Sequence, residues 1–300
     1  MRSDGGVRLL DDPAEPGTAR LDGIVTGRFT DHHVHLQLVD HTLLAGSRLA
    51  RVVDLGATPE WVAALAHHDP GDPSPVAVEY AGAFLTAPGG YPSDRAWAPE
   101  GSVREIPDAA AATRAVDELA AGGASVIKVV AHGDGPVLDD ETFCAAVRAA
   151  AAHDLPVVAH AEGRGQAQRA GRLGAQALAH APFSERLTGD EIAEQAASVA
   201  WVSTLAVHDD AHSAIAIDNV RRFSAAGGTV LYGTDMGNGD TPVDLRESEI
   251  AALNEAGVRG IRLLTALAPS SPLVPGVSLL FLPAGDPQLA RPLTTIDPED

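Results

Sequence analysis

Apolar runs of strand length alternate with amphipathic, alanine-rich runs along most of the chain. The β-like runs are FTDHHVHL (29–36), RVVDLG (51–56), VAVEYAGA (76–83), SVIKVVA (125–131), LPVVAHA (155–161), AQALAHA (175–181), ASVAWVSTL (197–205) and GTVLYGTD (228–235). PEWVAALAHH, DAAAATRAVDELAAGG, ETFCAAVRAAAAH and DNVRRFSAAGG lie between them with helical spacing, and several end in glycine, as a helix C-cap prefers. Eight strands with interposed helices predict an α/β fold, a parallel (β/α)8 TIM-like barrel. An open doubly wound sheet fits less well, because no G-x-G-x-x-G turn follows the first strand.

Residues 1–27 and 270–300 fall outside this alternation. Their VRLL, ARLDGIV and VSLLFLPAG read as short strands from both termini, which predicts a small β-sandwich appended to a barrel spanning 28–269. Residues 86–107 form a long Pro- and Gly-rich loop carrying Tyr91 and Trp97. Loops at this end of a barrel build the active site, so it is a candidate lid.

Composition narrows the partners. A net charge of −20 opposes nucleic acid and anionic membranes, since phosphates reward Lys and Arg. No run approaches ~18 uninterrupted apolar residues, so no membrane span is expected. The opening MRSDGGVRLLDDP lacks an apolar core and a cleavage site, and the single Cys144, read as a small core residue, suits a reducing compartment; both predict a cytoplasmic protein. A small-molecule substrate is the expected partner, with homo-oligomerisation left open.

The unusual residues sit in the strands. His33 and His35 alternate and so share a face of the first, whereas His32 turns away. Lys128 is on the fourth strand, His160 near the end of the fifth, His180 near the end of the sixth, and Asp235 closes the eighth. Alone, each has an ordinary explanation: a hydrogen-bonded core histidine, a helix-capping aspartate, a lysine reaching solvent. Together they are polar groups in apolar runs, and burying one without a partner costs ~1–3 kcal/mol. C-terminal strand ends of a barrel converge, and there this set can satisfy itself by binding cations. Twenty of the 21 basic residues are Arg, and the only lysine is Lys128. A chain that keeps one lysine, between Ile127 and Val129, is not using it for solubility.

TDHHVHL, VIKVV, VVAHAEG, LAHA and GTD, in that order, resemble the metal-dependent amidohydrolase superfamily in its two-metal form with a carboxylated lysine. AGAFLTAPGGY, GASVIKVVAHGD and GTVLYGTDMG extend the likeness over about residues 24–268, toward the imidazolonepropionase-like and prolidase-like branch. Tyr91 in GGY stands where many relatives have histidine. The resemblance implies that His33, His35 and Asp235 hold one divalent ion and His160 and His180 another, with Lys128 bridging them as a CO2-derived carbamate. Zinc leads, with manganese, cobalt or iron as alternatives, since imidazole and carboxylate suit them. Asp235 would be the catalytic base. The implied reaction is hydrolysis of an amide in an N-acyl amino acid, dipeptide or cyclic amide; lactone, ester or phosphoester hydrolysis and a silent metal-binding protein are the alternatives. Candidate substrate contacts are Tyr91, His132, Arg164, His208, His212 and Arg246, with Arg164 or Arg246 gripping a carboxylate. Asp31 is expected to orient a ligand histidine, and Asp54 to be structural or supporting.

Overall fold

Parallel strands buried on both sides carry the middle of the chain. In the computed structural model, which describes residues 3–4, 7–8, 23–67, 76–269 and 279–292, they form two ladders. One has seven strands, in the spatial order Val230–Leu231, Ala200–Val202, Ala177–Leu178, Val157–Glu162, Ile127–His132, Phe84–Thr86 and Val103–Glu105. The other has three: Phe29–Val34, Leu49–Asp54 and Ala77–Tyr80. Near-continuous burial along 127–131 and 157–161 matches the unbroken apolar runs of a covered parallel sheet.

The predicted closed barrel is therefore not one continuous sheet, and left-handed backbone interrupts it at both seams. The run read as one strand over 76–83 breaks at Gly82, whose φ is +73°: Ala77–Tyr80 pairs with Leu49–Asp54, and Phe84–Thr86 joins Ile127–His132 through Leu85 and Val129. At the other seam the run read as 228–235 keeps ladder pairing only at Val230–Leu231, and Asp235 has φ +54°. An L-residue strand cannot continue through that region of backbone space. Single contacts span the seams instead. The His32 amide donates to Tyr232 O at 3.0 Å, the His35 amide to Met236 O at 2.7 Å, and the Ser125 amide to Tyr80 O at 2.9 Å.

The four amphipathic readings become helices Pro59–Ala66, Ala109–Ala121, Asp140–Ala152 and Asp210–Ala225. The last begins eight residues before the DNVRR run, because the Asp209 carboxylate caps it by accepting from the Ala211 and His212 amides. Helices Gln166–Arg172, Gly189–Ala196, Glu247–Glu255 and Ile261–Leu267 complete the set among the described residues. Trp201 lies flat on Phe223, ring centroids 3.8 Å apart, locking a strand to Asp210–Ala225. Cys144 is half-buried on its helix rather than in the core. No described helix is long and apolar enough to cross a membrane.

The chain ends meet. Ser3–Asp4, Val7–Arg8, Gly23–Gly27, Leu279–Pro283 and Arg291–Pro292 form, in that order, an antiparallel sheet of five strands, with Gly23–Gly27 directly against Leu279–Pro283. Among the described residues this is one sheet, not the two packed layers of a sandwich. The loop expected as a lid is tied down: Val103–Glu105 pairs with Phe84–Thr86, and the Gly89 amide donates to Glu105 Oε1 at 2.8 Å.

Asp31 fastens the first strand to the eighth segment. Fully buried, it accepts from the His33 amide (3.0 Å), the Thr234 amide (3.1 Å) and Thr234 Oγ1 (2.5 Å). Asp31→Ala leaves three buried donors without an acceptor, so unfolding free energy should fall by about 3 kcal/mol or more. Chemical denaturation measures this; a loss under about 1 kcal/mol would show that the seam does not depend on Asp31.

Candidate metal centre

His33 on the first strand and His35 just past its end both line a cavity of about 380 Å³, while His32 turns away and its Nδ1 donates to Tyr232 O at 2.9 Å. Both cavity histidines are buried, and each is anchored by its far nitrogen. His33 Nδ1 donates to Ala179 O at 2.8 Å and His35 Nδ1 to Gly56 O at 3.0 Å. A carbonyl can only accept, so these bonds keep a proton on each Nδ1 and turn each Nε2 toward the cavity as the atom free to bind a metal. Asp54 sets the second anchor by clamping the Leu36 and Gly56 amides at 2.8 and 2.9 Å. A Cβ on Gly56 would run into the Phe84 ring, so glycine alone brings that carbonyl under His35.

The two Nε2 atoms and a carboxylate converge. His33 Nε2 and His35 Nε2 are 3.2 Å apart, and Asp235 Oδ1 lies 3.1 Å from the first and 3.3 Å from the second. Burial drives the His33 ring well below its ordinary pKa, so it stays neutral. Burial alone would raise the Asp235 carboxyl, but His33, His35 and His180 outweigh it and hold the carboxyl well below the usual range. Three potential ligand atoms thus crowd one buried point. A cation resolves this, and the spacing fits one: ligands at ~2.0–2.1 Å around a tetrahedral ion stand ~3.3 Å apart. The donor set fits a divalent metal.

Asp235 gains its aim from backbone that no periodicity reveals. Its left-handed φ of +54° turns the carboxylate inward, and Asn238 Nδ2 donates to its Oδ2 at 2.8 Å. Gly233 lets this segment pass against His33, since a Cβ there would collide with Val202.

The remaining predicted residues divide. Lys128 lines the cavity and is fully buried; burial lowers its amine to about 7, against the pull of Asp235 and Asp54. His180 and His160 also line it, ring centroids 4.9 Å apart, and His180 Nδ1 meets Thr204 Oγ1 at 2.9 Å. Thr204 is itself left-handed, a strained choice for a β-branched residue. His160 Nε2 lies against Glu162 Oε2 (3.1 Å), and that oxygen also accepts from His132 Nδ1 (3.0 Å). His132, His160 and Glu162 therefore form a second group able to hold an ion. Sequence reasoning missed Glu162, although it stands two residues past His160 on the same strand face, the alternation that selects His33 and His35.

Tyr91 and His208 line the cavity. His132 stacks on Tyr91 at 4.7 Å. The other readings are corrected. The Arg164 side chain is 96% exposed, because it lies far enough past the end of its strand to clear the rim, and its nearest carboxylate is Glu185 at 3.9 Å. Arg246 spends a guanidinium nitrogen on Ala206 O (3.0 Å) and does not line the cavity. His212 sits on the exposed first turn of its helix, paired with Asp209 at 3.0 Å. Asp31 holds the His33 backbone rather than its ring.

No family model and no curated protein matches this sequence. Solved structures do. A Xaa-Pro dipeptidase with methionine bound in its active site superposes with a TM-score of 0.67 at 17% identity, over 88% of this chain and 81% of that one. The ochratoxinase of A. niger gives 0.69 at 18%, over 89% and 81%. Phenylurea hydrolase B gives 0.63 at 14%, over 92% and 84%. This chain thus shares the mixed α/β fold of these three proteins.

Proposed function

We propose that this chain is an amide-bond hydrolase that works with two divalent metal ions. The observation that carries the reading is the convergence of His33 Nε2, His35 Nε2 and Asp235 Oδ1 with both Nδ1 atoms already committed. Those three would hold one ion; His160 and His180 would hold the other, with Lys128 as a carbamate between them. We read the two parallel ladders as arcs of one (β/α)8 barrel over residues 28–269, with the terminal sheet appended from 1–27 and 270–300. Zinc suits the donors best, and the lone cysteine suits the cytoplasm.

Bound ions supply Lewis acidity and lower the pKa of water. The protein supplies the rest. Lys128 is buried and half-neutral near pH 7, and its neutral amine would take up CO2 at Nζ with loss of one proton, leaving a carbamate anion where a neutral amine stood. Asp235, ionised and held on one oxygen by Asn238, is placed to take a proton at Oδ1 and return it to the leaving nitrogen. Phe84, Tyr91 and Trp97 exclude bulk water from one side.

Asp235→Asn keeps an oxygen ligand but not the base, so zinc content should stay within about twofold while kcat falls ~10²-fold or more. Hydrolysis near the wild-type rate would remove Asp235 from that role. For Lys128→Ala, elemental analysis should find less bound metal and assays no turnover, with short carboxylic acids restoring part of both. Lys128→Arg should not recover, because a guanidinium stays cationic; a fully active, metal-replete arginine variant would end the carbamate reading. Arg164→Ala should change KM for carboxylate-bearing amides less than twofold, since that side chain stands in solvent. A large rise confined to acidic substrates would return Arg164 to the site.

A further inference from the structure

The cavity wall is more specific than its metal-binding floor. Its rings fall into two groups on either side of the histidine cluster. Trp97 contacts Tyr91 at 6.1 Å and Phe84 at 6.2 Å, and it meets His35 at 6.5 Å. Beyond His33 and His180, Phe183 lies 5.9 Å from His180 and stacks on His208 at 4.0 Å. Trp97 stays 41% exposed, an apolar surface left uncovered at a cavity lining. Flat rings gain from offset or edge contacts beyond simple burial, worth ~0.5–1.5 kcal/mol each.

Polar groups narrow the choice. Seven buried side-chain atoms among the described residues lack a hydrogen-bond partner, and of these only His208 Nε2 belongs to a residue lining the cavity. That nitrogen can offer or accept one hydrogen bond, according to the ring's tautomer. The one lining cation is Lys128, which the metal reading consumes, and the lining also carries Glu162 and Asp235. Arg95, near this wall, is paired with Asp94 at 3.3 Å. Away from the metal floor, a substrate carboxylate would find no side-chain cation in the lining to pair with.

We infer that the amide cleaved here carries a flat aromatic group and no carboxylate, with His208 Nε2 hydrogen-bonding that substrate. This rests on the amide-hydrolase reading and names its substrate class. It replaces the carboxylate grip implied by Arg164 or Arg246 with selection by rings and by the absence of a cation.

The test uses zinc-loaded full-length protein and a matched set: N-benzoylglycinamide, its free acid N-benzoylglycine, and the N-acetyl counterparts of both. The neutral benzoyl amide should exceed each of the other three in kcat/KM by about tenfold or more. His208→Ala should raise its KM about tenfold while kcat changes less than threefold, and His208→Gln, which keeps a donor and an acceptor, should recover part of the loss. Alongside, calorimetric titration with acetophenone, benzoate and cyclohexyl methyl ketone reads recognition without a scissile bond, and acetophenone should bind tightest. If acetophenone leads but no amide is cleaved, recognition of a neutral aromatic ligand by this cavity stands and the hydrolase reading falls. If amides are cleaved but the free acids or acetyl compounds are fastest, or if benzoate outbinds acetophenone, the inference is overturned while the hydrolase reading survives.

Discussion

Two imidazole nitrogens and a carboxylate oxygen are held within 3.3 Å of one another in the buried floor of a cavity, and much of the surrounding structure exists to keep them there. Crowding three ligand atoms at one buried point needs a restraint on each. Ala179 and Gly56 hold the ring nitrogens from neighbouring strand ends, Asp54 holds Gly56, and Asp31 stitches the His33 backbone to Thr234 just ahead of Asp235. The supporting residues come from the first, second, sixth and eighth strand regions. The site is thus a property of the whole sheet arrangement, not of one motif. Two of the four described non-glycine residues in left-handed backbone, Thr204 and Asp235, lie here, which is where a fold spends strain.

Much of this is legible because strand alternation and apolar context are local signals. His33 facing in while His32 faces out, and one lysine buried between Ile127 and Val129, need only a period of two. The loops beyond the strands have no such period. Sequence order alone assigns Arg164 and His212 to the pocket, and the turns after their strands carry both to solvent. Left-handed conformations at Thr204, Asp235 and Gly82 hide the broken pairing, because a residue's φ is not written in its hydropathy. Glu162 is within reach of the alternation argument, and the capping box joining Thr188 to Glu191 is there to mark the helix Gly189–Ala196.

Floor and wall do different work in this fold. The floor is polar, buried and fit for cations; the wall is aromatic, with one unpaired nitrogen on His208. The chain's overall charge of −20 reinforces the wall's preference, since anionic ligands meet repulsion before they reach the cavity. Lys128 links the two, because its conversion to an anion would leave the lining without any side-chain cation.

The central claim is where the metals sit, and an anomalous difference map at the zinc edge, from crystals of zinc-loaded protein, tests it directly. The proposed centre requires one peak among His33, His35 and Asp235, a second between His160 and His180, and density for a carbamate on Lys128 joining them. An empty first position, or a single ion held by His132, His160 and Glu162 with Lys128 unmodified, would contradict it.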